Sequence, residues 1–167
     1  GAKAPAELAN NMPKIIDQAV VVGGGTMGAG IAHALVRAGI TTVTIETNEA
    51  AAKQAAARAE TLIEAGVKRS LISPQKAAEI RSRHSVSTDY ASAANAQIAI
   101  EAVFEDIAVK TTVFQKLQAV MPANAILASN TSYLDINSIA AALDDPSRLA
   151  GLHFFVPAHI MKLLEII

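Results

Sequence analysis

Three glycines near the start of the chain, Gly23, Gly25 and Gly28, follow the pattern G-x-G-x-x-G. They stand between an apolar run at 19–22, typical of a buried strand, and a helical spacing of apolar side chains over 27–38. In that setting the first glycine allows a tight turn, the second lets the backbone approach a pyrophosphate, and the third lets helix and strand pack closely. The helix N-terminus offers free N–H groups and a partial positive charge to the phosphates. The pattern predicts a dinucleotide-binding turn.

A glutamate at the end of the next strand-like run narrows the choice of dinucleotide. Glu46 follows the β-branched run 42–45, while Thr26 and Met27 complete the glycine turn, and all three are assigned to cofactor binding. A carboxylate in this place can accept hydrogen bonds from both ribose hydroxyls of the adenosine half, and it repels a 2′-phosphate. The residues around it do not form an arginine pocket that would offset this repulsion. NAD is therefore predicted rather than NADP. The alternative is a glycine-rich turn beside an ordinary surface glutamate.

A histidine near the end of the chain could act as a base. His153 lies in the apolar run 151–156, which would place it at the carboxyl edge of a parallel sheet, where ligands bind. Imidazole titrates in the range that alcohol oxidation needs, and Glu165 could hold the ring if the two segments run side by side. From the spacing alone, His159 is an equal rival, and a structural histidine is the more frequent case. A metal site is not expected, because Pro157 breaks the segment between the histidines.

These residues need a scaffold that brings distant parts of the chain together, and the hydrophobic pattern predicts one. Strands are predicted at 19–22, 42–45, 86–88, 97–103, 125–128 and 151–156. Helices are predicted at 27–38, 50–67, 74–83 (capped by Ser73), 107–120 and 135–143, and a further apolar segment begins at Lys162. Alternating strands and helices with short connections are the signature of βαβ units. The predicted fold is α/β: a Rossmann-type, doubly wound, mostly parallel sheet with helices on both faces.

The composition indicates a globular domain and excludes several classes of function. The chain has 167 residues, of which 51% are hydrophobic and 17% charged, so it can bury a core. A net charge of −1 does not favour a nucleic-acid partner, and the basic residues at 68–69 and 81–83 are interpreted as a solvated face, with a phosphorylated ligand as the alternative. The lack of cysteine excludes thiolate chemistry. No apolar run reaches the roughly 20 residues of a membrane span. A cytoplasmic location is expected, with an organellar matrix as the alternative.

Four motifs, in this order, resemble those of the 3-hydroxyacyl-CoA dehydrogenase family. They are VVGGGTMGAGIA at 21–32, IEAVFEDIAVKTTVF at 100–114, LASNTSYLDI at 127–136 and GLHFFVPAHIMKLLEII at 151–167. The resemblance covers nearly all of the chain after residue 14. It implies NAD-dependent oxidation of an L-3-hydroxyacyl-CoA to the 3-oxoacyl-CoA. Such domains also occur in multifunctional enzymes of fatty-acid β-oxidation.

The resemblance implies roles for the residues expected to meet the substrate. His153 falls on the family's base and Glu165 on its partner, which resolves the rivalry in favour of His153 over His159. Ser132 falls on the serine that bonds the substrate hydroxyl. These three residues are the predicted catalytic set.

The resemblance also assigns residues to the nicotinamide end of the cofactor. Asn130 falls on an asparagine that lies near the nicotinamide, and Glu105 and Lys110 fall on the pair that lines the nicotinamide ribose. Without the resemblance, Glu105 and Lys110 would be interpreted as charges on the first turns of a helix. Asn130 and Ser132 would be interpreted as loop or capping residues.

One position departs from the family pattern. The family usually has asparagine where this chain has Val156. Valine neither donates nor accepts a hydrogen bond, and losing such a group costs roughly 1–3 kcal/mol of transition-state stabilisation if nothing replaces it. The departure puts the acyl substrate in question more than the cofactor. It also favours an alternative function, a catalytically impaired dinucleotide-binding module with a sensing or structural role.

The resemblance predicts a domain organisation that extends beyond these residues. Residues 1–14 are interpreted as a linker or a cloning remnant, and 15–167 as an NAD-binding Rossmann domain. A helical domain that closes the acyl-CoA cleft and often forms the dimer is expected to follow. The full-length protein is expected to be a homodimer or part of a multifunctional chain. Residues 1–167 alone are expected to bind NAD but to turn over acyl-CoA weakly.

Overall fold

The structure is a computed structural model that describes residues 12–161 and 163–167. Within these ranges the strands are β1 (Gln18–Val22), β2 (Thr41–Ile45), β3 (His84–Ser87), β4 (Ile98–Glu101), β5 (Ile126–Ser129), β6 (Leu149–Phe154) and β7 (Leu164–Ile166). The helices are α1 (Thr26–Arg37), α2 (Glu49–Lys68), α3 (Pro74–Ser82), α4 (Ile107–Val120) and α5 (Ile136–Ala140), with short 3-10 turns at Tyr90–Ala93 and Pro146–Arg148. Most of the predicted linker, residues 1–11, lies outside the described residues, as does Lys162.

The strands form one sheet in the order β3-β2-β1-β4-β5-β6-β7. Strands β1 to β6 run parallel, and β7 pairs antiparallel with β6. The chain winds from β1 outwards through β2 and β3, then returns to the other side of β1 and continues through β4, β5 and β6. The winding direction changes between β1 and β4, and ligands of open α/β sheets bind in the crevice at such a point. The predicted doubly wound, mostly parallel sheet is confirmed.

Helices cover both faces of the sheet because the central strand buries its side chains alternately in two cores. Val20 and Val22 pack in one core with Phe114 of α4 and Ile139 of α5. Val21 packs in the other core with α1. A third cluster joins α1, α2 and α3. A strand buried on both faces accounts for the continuous apolar run at 19–22.

Several predicted strand boundaries are wrong by one or two residues. The strands predicted at 86–88, 97–103, 125–128 and 151–156 correspond to β3, β4, β5 and β6. Hydrophobicity does not mark the end of a ladder, since apolar residues also continue into the turns. Ala125, for example, donates its N–H to Pro122 O (2.9 Å) in a turn before β5 begins. β6 ends at Phe154, so Val156 lies beyond the strand and 66% exposed.

The helices agree more closely with their sequence signals. The Ser73 hydroxyl accepts the Lys76 N–H (3.2 Å) at the start of α3, so its predicted role as a cap is confirmed. The helix predicted at 135–143 is shorter, because Asp135 is the cap before α5 and the helix ends at Ala140. Among residues 12–161 and 163–167, no helix combines the length and apolar character that crossing a membrane requires.

Candidate cofactor and active site

The glycine turn joins β1 to α1 at the carboxyl edge of the sheet. Gly23 has a φ of +94°, which side-chain-bearing residues rarely adopt. A Cβ on Gly28 would lie 1.7 Å from Gly23 O, so only glycine permits this contact between helix and strand. A Cβ on Gly25 would meet no atom of the described chain within 4 Å, so this residue faces open space. The tight turn and the close packing that the sequence predicts are both present.

The N-terminus of α1 is left available to a ligand. Its capping residue is Gly25, and no side chain of the described residues caps this end. The first N–H groups of the helix therefore point outwards with the positive end of the helix dipole. Thr26 is exposed and Met27 is half-buried in this first turn. The arrangement suits an anionic group such as a pyrophosphate.

Glu46 lies beside the glycine turn, at the end of β2. Its Oε1 accepts the Gly24 N–H (2.6 Å), and its Oε2 lies 3.3 Å from the Thr47 N–H. A cleft of about 660 Å³ opens next to this carboxylate. Its walls include the side chains of Ile45 and Val103 and the turn at Gly25. An apolar wall beside a carboxylate suits a purine base joined to a ribose, so the residues fit the adenosine half of a dinucleotide.

The middle glycine, Gly24, has a packing role that the sequence pattern did not predict. A Cβ on Gly24 would lie 2.3 Å from the Cβ of Ala55, so α2 packs directly on the turn. Arg58, one turn further along α2, donates to Gly24 O (3.3 Å). The available signal was the glycine at position 24 itself, because the dinucleotide pattern requires glycine at 23, 25 and 28 but not between 23 and 25.

His153 and Glu165 face each other across the antiparallel strands β6 and β7, further along the same edge of the sheet. They are register partners on β6 and β7, and His153 Nδ1 lies 2.9 Å from Glu165 Oε2. An ionised carboxylate only accepts hydrogen bonds, so Nδ1 carries the hydrogen. In the neutral ring, Nε2 then has a free lone pair. The His153 side chain is 23% exposed, which leaves it accessible to a ligand. The two segments run side by side, as the base hypothesis requires.

His159 lies in a different environment. Its ring meets that of His33 on α1 edge to face, with centroids 5.9 Å apart. Burial, followed by the charges of Arg37 and Arg69, lowers the pKa of His159 below its usual value. Within the described ranges, no group of three or more acidic, histidine or cysteine side chains is arranged to hold a metal ion.

The loop after β5 brings Asn130 and Ser132 to the same edge. Asn130 N donates to Glu101 O (2.9 Å), and Asn130 Oδ1 accepts the Phe154 N–H (3.1 Å), next to His153. Ser132 is exposed, and its N–H donates to Glu105 Oε1 (3.1 Å). Hydrogen bonds to both neighbouring strands therefore hold the loop that carries these two residues.

Glu105 and Lys110 belong to a buried ionic network. Lys110 Nζ lies 3.0 Å from Glu105 Oε2 and 2.7 Å from Glu101 Oε1, and its side chain is only 1% exposed. Burial opposes ionisation of Glu105. The hydrogen bond from the Thr131 hydroxyl and the charge of Lys110 nevertheless hold its pKa below the usual value. Glu105 is partly exposed, so it is the member of the pair that can contact a ligand directly.

Comparison with known proteins identifies the family. The sequence model of the family "3-hydroxyacyl-CoA dehydrogenase, NAD binding domain" matches residues 18–167 of this chain. The chain belongs to the 3-hydroxyacyl-CoA dehydrogenase family. The resemblance found in the sequence is therefore confirmed, and so is NAD as the cofactor of this domain.

The relatives include long multifunctional enzymes. The chain is 37% identical over 156 residues to the glyoxysomal fatty acid beta-oxidation multifunctional protein MFP-a of Brassica napus, covering 93% of this chain and 22% of the relative. It is 37% identical over 162 residues to the peroxisomal bifunctional enzyme of Danio rerio, covering 97% of this chain and 22% of the relative. The chain thus spans about a fifth of these relatives.

Solved structures of the family share the fold. M. tuberculosis FadB2 matches with a TM-score of 0.89 and 36% identity, covering 92% of this chain and 54% of FadB2. The 3-hydroxybutyryl-CoA dehydrogenase of Escherichia coli K12 matches with a TM-score of 0.87 and 34% identity, covering 92% of this chain and 32% of that one. These likenesses agree with the Rossmann-type sheet.

The 3-hydroxyacyl-CoA dehydrogenase domain contains site residues that the sequence analysis did not single out. Glu101 and Thr131 both bond to residues of the predicted set. Glu101 is a charged residue within the predicted apolar strand at 97–103. Because a buried charge requires partners, its position could have predicted a buried polar network there. Thr131 carried no comparable signal.

The basic residues of α2 and α3 partly form ion pairs at the surface. Arg81 makes a two-pronged hydrogen bond to Glu60 from Nε (3.1 Å and 3.0 Å to the two carboxylate oxygens) and Nη2 (2.5 Å). This pairing favours the interpretation of a solvated face in the 3-hydroxyacyl-CoA dehydrogenase domain.

Proposed function

We propose that this chain is the NAD-binding, base-carrying part of an enzyme that oxidises L-3-hydroxyacyl-CoA to 3-oxoacyl-CoA in fatty-acid β-oxidation. The observation that carries the proposal is the His153–Glu165 pair, 2.9 Å apart, at the same sheet edge as the glycine turn. The glycine turn would hold a dinucleotide at the edge where His153 also lies, as expected of doubly wound folds.

The cofactor is held by residues of two regions. Gly23, Gly25 and Gly28 with Thr26 and Met27 form the turn that receives the diphosphate, and Glu46 bonds the adenosine ribose. The nicotinamide half is received by Asn130 and Glu105, with Lys110 acting through Glu105 because its ammonium is buried. When bound, NAD supplies the acceptor for the hydride that leaves the carbinol carbon.

Residues of this chain accept the proton of the substrate hydroxyl and orient that hydroxyl. His153 Nε2 accepts this proton while the C–O bond becomes a carbonyl, so the ring becomes an imidazolium. Glu165, which bonds Nδ1, stabilises that positive charge and fixes the ring's orientation. Ser132 donates its hydroxyl hydrogen to the substrate oxygen and so orients the hydroxyl towards Nε2.

The whole protein is proposed to extend beyond this domain. Exposed apolar side chains at Ile160, Met161, Leu163 and Ile166 support a surface that a helical domain covers in the longer protein. That domain completes the acyl-CoA cleft, so residues 1–167 alone turn over substrate weakly. The longer protein is proposed to act as a homodimer or within a multifunctional chain. A cytoplasmic location is proposed, and the glyoxysomal and peroxisomal names of the relatives support an organelle as the alternative.

A fluorescence titration of this chain with NADH, with NADPH as the control, tests the proposal. Saturable NADH binding, with NADPH at least about tenfold weaker because Glu46 repels the 2′-phosphate, is expected. Binding of neither nucleotide by a folded sample contradicts the proposal.

Val156 favours a second candidate function, a dinucleotide-binding module without efficient catalysis. The test is an assay of 3-hydroxybutyryl-CoA turnover in the chain extended by its helical domain. If the natural sequence shows no turnover and Val156→Asn restores it, the second function is supported. Turnover that depends on His153 in the natural sequence contradicts it.

A further inference from the structure

A buried glutamate at the end of β4 bonds residues of three segments of the site. The side chain of Glu101 is fully buried. Its Oε1 accepts hydrogen bonds from Lys110 Nζ (2.7 Å) and Val103 N (2.7 Å), and its Oε2 accepts one from Ser129 Oγ (2.7 Å). A carboxylate removed from water is stable only with such partners.

One set of these contacts leads to the catalytic histidine. Ser129 is the register partner of Glu101 and ends β5 directly before Asn130. Glu101 O accepts the Asn130 N–H (2.9 Å), and the Asn130 side chain in turn bonds Phe154 N (3.1 Å), next to His153. Through Ser129, the Glu101 carboxylate therefore holds the start of the loop 130–132, which also bonds β6 beside His153.

The other set leads to the substrate-binding serine. Glu101 holds the ammonium of Lys110, and Lys110 holds Glu105 (3.0 Å). Glu105 then accepts hydrogen bonds from the Thr131 hydroxyl and from Ser132 N (3.1 Å). Both sets of contacts end on the loop 130–132.

Glu101 reaches the adenosine side of the site through the Val103 N–H, and Val103 is an apolar wall residue of that cleft. Next to Glu101, the main chain bonds β1 through Ala102 N to Val22 O (2.9 Å), and the register of β4 on β1 uses backbone atoms. Within the described residues, Glu46 and the first turn of α1 do not bond the Glu101 carboxylate. A substitution of Glu101 should thus weaken binding of the nicotinamide half of the cofactor far more than binding of the adenosine half.

We propose that Glu101 is a positioning residue, which sets the loop 130–132 and Glu105 for the nicotinamide half of the cofactor. This inference rests on the proposed function of the site. Glu101 does not touch the cofactor itself, and it acts through Lys110 and Ser129.

Titrations of this chain with NADH and with ADP, which lacks the nicotinamide half, test the inference. Glu101→Gln keeps the shape of the side chain but removes its charge and replaces one acceptor oxygen by an amide. NADH should bind about tenfold more weakly, the size of one hydrogen bond to a charged group, while the affinity for ADP should change less than about twofold. Glu64→Gln, on the exposed face of α2, serves as the matched control and should change neither affinity.

The outcomes separate this inference from the proposed function. Loss of NADH and ADP affinity in parallel indicates a general structural role for Glu101 and overturns the inference. Unchanged NADH affinity in Glu101→Gln also overturns it and leaves the proposed function intact. An unmodified chain that binds neither nucleotide overturns both.

A second variant covers the case in which Glu101→Gln does not fold. Ser129→Ala removes one hydroxyl from the network and leaves the pair of Glu101 with Lys110 in place. It should weaken NADH about threefold, with ADP unchanged. Equal NADH affinity in Ser129→Ala and the unmodified chain contradicts the inference.

Discussion

At the scale of single residues, the same amino acid serves different purposes within one turn. Gly28 is glycine because any side chain would collide with Gly23 O, whereas Gly25 faces open space. The fold requires the first, whereas we propose that the second serves a ligand that approaches closely. Alanine substitutions therefore distinguish the two roles.

Gly25→Ala should preserve folding and weaken NADH binding by tenfold or more, because a methyl group occupies the approach of the diphosphate. Its φ of −64° is compatible with alanine. Gly28→Ala, the matched variant, should destabilise the domain by about 3 kcal/mol or more through the clash with Gly23 O. Thermal unfolding and NADH titration measure the two effects. Equal unfolding temperatures for both variants would refute this division of roles.

Glu46 is expected to set the choice between nucleotides. Glu46→Gln keeps an oxygen that can accept the Gly24 N–H but removes the negative charge. The preference for NADH over NADPH should fall about tenfold, through weaker NADH binding and reduced repulsion of the 2′-phosphate. Parallel titrations with the two nucleotides measure the ratio. A ratio equal to that of the unmodified chain would show that another group makes the choice.

At the scale of secondary-structure elements, α1 carries a histidine that couples its packing to pH. His33 is 6% exposed, and its ring meets that of His159, in the segment that follows β6. Burial, with the nearby charge of Arg37, lowers the pKa of His33 to about 4. The unfolded chain therefore takes up the proton at a higher pH than the folded one.

The domain should lose stability as the pH falls from about 6.5 towards 4, because protons bind preferentially to the unfolded state in that range. A shift of this size corresponds to about 3 kcal/mol in the free energy of unfolding. Denaturant unfolding at several pH values measures the loss. His33→Phe keeps a buried ring without titration, so its pH dependence should be flatter. His84 and His159, whose pKa values burial also lowers, and Glu105, whose pKa is held low by its partners, contribute to the remaining slope. An unchanged slope in His33→Phe would rule out this role for His33.

At the scale of the whole molecule, the two functional groups come from opposite ends of the chain. The glycine turn precedes α1, and the His153–Glu165 pair lies on the last two strands. Strand order places them at one edge, with β4 and β5 between β1 and β6. We therefore expect substitutions to separate cofactor binding from the proposed catalysis.

His153→Ala, in the chain extended by its helical domain, should lower kcat by roughly a thousandfold, the size of general base catalysis. NADH affinity should not change, since His153 is proposed to accept the hydroxyl proton and lies apart from the dinucleotide turn. Glu165→Gln should show a smaller loss, because the base remains but its imidazolium loses a charged partner. Steady-state assays with 3-hydroxybutyryl-CoA and NADH titrations provide both values. An unchanged kcat in His153→Ala would remove this residue from the mechanism.

The sequence alone determined the features that depend on local spacing. The glycine pattern, Glu46 at the end of β2 and the alternation of strands and helices all follow from periodicities within about 30 residues, which reflect local backbone geometry and burial. The family resemblance added the roles of His153, Glu165, Ser132, Asn130, Glu105 and Lys110, which stay predictions.

Only the tertiary structure decided which distant residues meet. It paired β7 with β6, so that Glu165 reached His153, and it brought α2 onto Gly24. It also gathered Glu101, Lys110 and Ser129 into one buried network. No local pattern encodes these contacts, because the order of strands in the sheet sets which side chains become neighbours, and the energy of a buried charge depends on those neighbours.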